Sequence, residues 1–162
     1  MKHGRSGLRI RLGTVLSTPE LNVLLFAFLL NYPWEFIQTP MYEGLAGMPH
    51  WEAVQICTQA TVGDAVIMLI AFWVVALLRR DRAWIALPTL HCALLFCLIG
   101  VGITVCIEAL ALRGWWLSNW NYSTAMPIIP ILGVGLFPVL QWLVLPPLAA
   151  GLVGRQIRGS RP

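Results

Sequence analysis

The sequence predicts an all-α fold, an integral membrane four-helix bundle with N and C termini cytoplasmic and a fourth helix kinked by proline and glycine. Three observations lead there. Of 162 residues, 58% are hydrophobic and 11% charged, against roughly 25% charged in an average soluble domain, and the mean hydropathy is +0.74. Four apolar segments, at about residues 19–38, 60–78, 85–112 and 126–153, each reach the roughly 20 residues needed to span a bilayer. The basic residues also alternate in placement. Lys2, Arg5, Arg9 and Arg11 precede the first segment; Arg79, Arg80 and Arg82 lie between the second and third; Arg155, Arg158 and Arg161 follow the fourth; Arg113 stands alone on the other side. The positive-inside rule then sets the topology and an inner-membrane, multi-pass location.

The first helix has a start signal: Ser17 and Thr18 as caps, Pro19 in the first turn, and Glu20 at the positive end of the dipole. Pro33 is expected to kink it and Pro40 to help end it. Residues 41–59 read as an outer loop with Gly44, Gly47 and Pro49; from His50 it begins the second helix as an interfacial lead carrying Trp51, a belt residue. The second helix runs inward to Arg79. The third runs outward from Trp84, with Pro88 in its first turns, to Arg113 and Gly114. Residues 115–125, with Trp115, Trp116, Trp120 and Tyr122 among Asn119, Asn121 and Ser123, form an interfacial loop. The fourth segment holds Pro127, Pro130, Gly133, Gly135, Pro138, Pro146 and Pro147, so its outer half is not expected to be a regular helix; irregular backbone at membrane depth is tolerated where protein or a polar cavity surrounds it. The chain reads as a single membrane domain with no internal repeat.

Several function classes are disfavoured. A pI near 9.2 suggests nucleic acid, but the basic residues are explained by membrane orientation and none alternate with aromatics on a polar face. A cleaved signal peptide is not expected, because the small residues Gly44 and Ala46 lie too far beyond the apolar run 21–30. Cys57, Cys92, Cys97 and Cys106 form no CxxC pair and read as free thiols; a link between Cys57 and Cys106, both near the outer end, is left open. No nucleophile elbow, phosphate loop, HExxH or dinucleotide fingerprint occurs, so no cofactor is expected. His91, near the inner end of the third helix, reads as a core or interface histidine, and His50 matches no zinc or di-iron spacing, so no metal is expected. Gly100 and Gly102 read as close-packing positions.

The chemistry-bearing residues are Glu35, Asp64 and Glu108. Threaded at about 1.5 Å per residue, all three reach the outer leaflet's depth, each about a turn from a helix end. An ionisable group in hydrocarbon costs a few kcal/mol at least, so it normally faces protein or a water-filled cavity. Helical spacing puts Phe28, Asn31, Tyr32 and Gln38 on the Glu35 face, Thr61 and Met68 on the Asp64 face, and Thr104 and Cys97 on the Glu108 face. If these stripes face one another, they enclose an outward-opening pocket roofed by the aromatic loops, with Gln141 and Trp142 at mid-depth. Asp64, Glu108 and Glu35 are the candidate acid-base residues, Asp64 the most diagnostic. Tyr32, Gln38, Thr61, Thr104, Trp120, Tyr122 and Gln141 are the candidate ligand-binding residues. Carboxylates held close together in a low dielectric share protons, which provides a donor for an alkene or ether. The structural alternative is that these acids reach interfacial water, with Glu108 paired to Arg113.

Two stretches carry a resemblance: Pro33-Trp34-Glu35-Phe36-Ile37-Gln38-Thr39-Pro40-Met41-Tyr42, and the run from Glu108 through Trp120 and Tyr122 to Met126-Pro127, Gly133-Val134-Gly135-Leu136, Pro138 and Gln141-Trp142. Together they resemble a group of small uncharacterised bacterial four-helix inner-membrane proteins, over most of the chain, a resemblance that implies no reaction. The second run, about 40 residues, is also weakly similar to integral-membrane carotenoid hydratases and lycopene cyclases. That similarity implies a proton-donating role for Glu108. The paired acids of the cyclase motif have no counterpart here, Gln141 standing where an acid would help.

These readings lead to a protein with an outward-facing carboxylate-lined pocket that binds membrane lipids or an isoprenoid-like ligand and carries out acid-base chemistry of the hydratase or isomerase type. A small proton-coupled transporter, which would need to form a homo-oligomer to build alternating access, and an accessory or assembly subunit that joins a membrane-protein partner are the other classes.

Overall fold

The computed structural model describes residues 17–115 and 120–160. The basic N-terminal residues, Trp116, Asn119 and Arg161 lie outside them. The described chain contains four helices: α1 (Pro19–Gln38), α2 (His50–Arg79), α3 (Leu90–Leu112) and α4 (Leu136–Gly159). Three of them, α2, α3 and α4, are long and apolar enough to cross a membrane. α1 falls short of that measure because Asn22, Asn31, Glu35 and Gln38 dilute its leucines and phenylalanines. Those same four side chains are buried, on one stripe with Val23 and Ala27 at spacings of three and four. The polar residues of α1 therefore face the bundle, and its exposed leucines 21, 25 and 29 lie outside.

α1 starts where its signals predict, with Thr18 at the N-cap and Pro19 in the first turn, and continues through Pro33 to Gln38. A short 3-10 turn, Thr39–Met41, follows. α2 begins at His50, so the segment expected as a lead is continuous with the rest of the helix. It ends on Arg80, which takes the left-handed conformation at φ 52°, allowing Arg80 N to bond Leu77 O and Asp81 N to reach back to Ala76 O, both at 3.1 Å. α3 begins later than residue 85. Pro88 lacks an N–H and disfavours helical geometry at the residue before it, so residues 84–86 form a separate 3-10 turn, Trp84–Ala86. Thr89 then caps α3 by accepting from Cys92 N at 3.3 Å. α4 likewise starts ten residues past 126. Its predicted outer part folds instead into a two-strand hairpin, β1 (Ile128–Ile129) against β2 (Val134–Gly135) in antiparallel register. Pro130 interrupts the backbone there and Gly133 turns it at φ 67°.

The bundle has two unlike halves. The half nearer Arg82 and Arg158 is apolar: Phe72, Phe96 and Trp84 cluster with ring centroids 5.5–5.7 Å apart, against Val23, Met68, Leu145 and Val153. Alanines 27, 65, 71, 149 and 150 let the helices approach closely. The connecting turn is fastened from both sides. Arg82 Nε and Nη2 donate to the two Glu20 oxygens at 2.6 Å, and Arg158 Nη1 donates to Ala86 O. The other half holds the carboxylates.

Gly100 and Gly102 have different roles. A Cβ on Gly100 would lie 2.0 Å from Trp142 Cε3, whereas one on Gly102 would meet nothing within 4 Å. Only Gly100 is a close-packing position. Gly100→Ala is expected to lower stability by about 1–3 kcal/mol through overpacking, and Gly102→Ala to leave it within about 0.5 kcal/mol. Thermal melting of the two variants in the same detergent checks this.

Candidate functional site

Each carboxylate reaches the site by helical phase. Glu35 is one turn past Asn31 on the buried stripe of α1, and Gln38 one turn further. Asn31 donates Nδ2 to Ala27 O at 2.7 Å, which turns its Oδ1 toward α4. There it accepts from Gln141 Nε2 at 2.7 Å. The same nitrogen lies 2.7 Å from Asp64 Oδ2 on α2 and 3.3 Å from Glu35 Oε1. An amide nitrogen carries two hydrogens, and the two short contacts use them. Glu35 Oε1 is supplied instead by Gln38 Nε2 at 2.8 Å. Glu35 Oε1 and Asp64 Oδ2 both approach the Gln141 nitrogen, so the two carboxyl groups are neighbours. Two acids held that close away from water share a proton.

Glu108, on α3, is held differently. Its Oε2 accepts from Trp120 Nε1 at 3.0 Å and from Tyr122 Oη at 2.5 Å, and its Oε1 accepts from Tyr42 Oη at 3.2 Å. Three donors and no acceptor surround it, the set that an ionised carboxylate uses. All three donors come from the loops. Those loops are tied together: Tyr42 and Tyr122 form an antiparallel bridge, Glu43 N bonds Asn121 O, Ser123 N bonds Met41 O, and Ser123 Oγ donates to Pro40 O at 2.8 Å. Tyr122 Oη also accepts from Gly135 N at 2.9 Å, which fixes the hairpin before α4 to the same cluster. Glu108 is therefore bonded to loop residues, while Arg113 is exposed.

Glu35, Asp64 and Glu108 line one cleft of about 1200 Å³. Its apolar walls are Ile56, Val66, Ile67 and Ile70 of α2 and Ile103, Ile107 and Leu110 of α3. Ile56, Val66 and Ile70 are solvent-exposed, so the cleft between α2 and α3 is open rather than enclosed. Tyr42 and Trp120 line its loop end, with ring centroids 6.5 Å apart and nearly perpendicular.

Of the residues expected to bind a ligand, Gln38, Thr104, Trp120 and Gln141 line this cleft. Tyr122 acts one step behind it, through Glu108. Tyr32 stands apart, its ring stacked on Phe28 and edge-on to Phe36, and buried Thr61 gives its hydroxyl to Cys57 O at 2.7 Å. His50 and His91 are exposed, and no group of three metal-ligating side chains occurs among the described residues. The four cysteines are free; Cys57 Sγ is 3.8 Å from Thr39 Oγ1. Sequence reading missed Tyr42 and Asn31 as site residues. Asn31 already lay on the Glu35 stripe, whereas nothing local marks Tyr42. Comparison with protein families, curated proteins and solved structures finds no match.

The Tyr42 phenol is held well above its ordinary value of 10.0, by burial first and then by the negative charge of Glu108. Burial and the bond to Glu108 push the Tyr122 phenol up as well. A phenol whose proton is held more tightly in the folded chain adds stability that is complete below the unfolded value and is lost as pH rises from about 10 toward the folded one. The folded protein is therefore expected to stay native and to show fewer than its three tyrosines ionised at about pH 11, with melting temperature falling from about pH 10 upward. Tyrosinate absorbance measured alongside melting tests this; full ionisation before unfolding would contradict it. Gln141→Leu leaves Asp64 and Asn31 without their donor and is expected to cost about 1–3 kcal/mol per stranded group, read by the same melting assay.

Proposed function

We propose that this chain is a multi-pass membrane protein of the bacterial inner-membrane type that admits a lipid or isoprenoid-like amphiphile sideways from the bilayer and exposes its polar or unsaturated end to acid-base chemistry. The observation that carries the reading is the single cleft that Glu35, Asp64 and Glu108 share, walled by isoleucines and open between α2 and α3. An aqueous substrate has no need of such walls; an acyl or isoprenoid chain does. The two carboxyl environments support the chemical half of the proposal. The Glu35 and Asp64 pair holds a proton, and Glu108 is arranged as an anion, so an acid and a base face one cavity. In this reading the arginine-rich end is cytoplasmic, both termini lie there, the cleft opens toward the outer leaflet, and Pro146 and Pro147 bend α4.

The expected outcome is that organic extraction of the protein purified in mild detergent yields a bound amphiphile identifiable by mass spectrometry. Gly102→Phe, which fills the cleft from a glycine with open space around it, should expel that molecule. Asp64→Asn and Glu108→Gln should alter the host's lipid or pigment profile. An unchanged profile in both acid variants would remove the chemical half; an extract with no amphiphile at all would remove the binding half.

A further inference from the structure

We propose that the polar end of the amphiphile is an organic ammonium group, which Glu35 and Asp64 bind in place of the proton they share. This rests on the reading above that the cleft holds a membrane-borne amphiphile, and narrows its chemical class.

Hydrogen-bond capacity bears on the head group. The donors that touch the three carboxyl groups are committed: Gln38 to Glu35, Gln141 to Asn31 and Asp64, and Tyr42, Trp120 and Tyr122 to Glu108. Acceptor capacity remains on the carboxylate oxygens. Thr104 gives an independent sign of a missing polar partner. Thr58 and Thr61 turn their hydroxyls back onto the carbonyls four residues earlier, at 2.6 and 2.7 Å, the usual arrangement in a helix. Thr104 lines the same cleft one turn from Glu108, is 8% exposed, and its Oγ1 has no partner among the described residues. A buried hydroxyl without a partner is destabilising, and its lone pairs can accept an ammonium N–H brought to that point.

Charge gives the same answer. The charged or titratable groups that face Glu35 and Asp64 are Glu108 from α3, Glu43 and Tyr42 from the first loop, and Cys57 and Cys106 on the walls; α4 presents the uncharged Gln141. No Lys, Arg or His lines the cleft among the described residues. A phosphate head group would meet several carboxyl groups and no counter-ion, a desolvation cost with nothing to offset it. An ammonium group instead replaces the proton as the positive partner. Tyr42 and Trp120 line the loop end, where aromatic rings favour a cation over an anion, and the isoleucine walls take the chain. Binding a protonated amine with loss of the shared proton to solvent conserves the site's net charge. Each bound cation should therefore release about one proton.

The test is calorimetric titration of the full chain in a neutral maltoside detergent near pH 7, run in phosphate and in Tris so that the difference in heat counts protons. Dodecylamine, dodecanol and dodecyl phosphate serve as probes, each corrected for partition into empty micelles. Dodecylamine is expected to bind with release of about one proton, dodecanol about tenfold or more weakly with none, and dodecyl phosphate not at all. Asp64→Asn should weaken dodecylamine about tenfold or more and abolish proton release. Thr104→Val, which leaves the acids in place, should weaken it while retaining release. If Asp64→Asn does not fold, the two-buffer proton count on the unaltered chain decides alone. Dodecylamine binding without proton release, or dodecanol binding equally well, overturns the ammonium assignment and leaves an amphiphile site standing. No binding by any of the three overturns both.

Discussion

The buried amide of Gln141 is the tie on which the carboxylate half of the molecule depends. It reaches from α4 to Asn31 on α1 and Asp64 on α2, both at 2.7 Å, and so fixes three helices at one level. Within a bilayer the apolar surfaces of helices gain little by meeting one another rather than lipid, so polar ties and close packing of small residues supply specificity. Each half of this bundle relies on one of the two. The arginine half is packed by alanines, by Gly100 against Trp142 and by an aromatic cluster; the carboxylate half is tied by amides and acids. The tie has a requirement of its own. Gln141 can satisfy only two of its three acceptor neighbours, so Glu35 takes its donor from Gln38, and the two neighbouring acids share a proton.

Glu108 shows why three acids on one cleft need not be chemically alike. Glu35 and Asp64 are served by amides of the helices and by each other. Glu108 is served by two phenols and an indole, all from loops that are sewn together by the bridge between Tyr42 and Tyr122. The loops thus complete one carboxylate's shell, and Tyr122 passes the connection on to the hairpin before α4 through Gly135 N. A change in the loops acts on Glu108 without touching the other two acids. Both phenols keep their protons more tightly than a free tyrosine does, so the donors that hold Glu108 persist across the physiological pH range.

Much of this was legible in the sequence, for identifiable reasons. α1 begins and ends where Thr18, Pro19 and Pro40 say it should, because those signals act through the chain's own backbone. Rise per residue alone led to the expectation of a common depth for Glu35, Asp64 and Glu108, and the three line one cleft. The boundaries that moved were set by proline: Pro88 delays α3 to Leu90, and Pro130 with Gly133 makes a hairpin of the segment before Leu136. Long-range partners were not legible. That Gln141 serves Asp64, 77 positions away, or that Tyr42 serves Glu108, 66 positions away, depends on how the helices are rotated about their axes, which a hydropathy pattern leaves free over a wide arc. The same freedom explains why Tyr32 and Thr61, on the expected stripes, fall outside the cleft.

The two glycines of α3 show how packing and cleft are coupled. Residues 100 and 102 are about 200° apart around a helix, so they cannot face the same neighbour. Gly100 lets α3 close onto Trp142, and Gly102 faces the space between α3 and α2. The close approach of α3 to α4 and the cleft thus lie on opposite sides of one helix. A side chain at Gly100 is therefore expected to act on the cleft at a distance: pushing α3 off Trp142 would move the wall that carries Thr104 and Glu108 toward the one that carries Asp64.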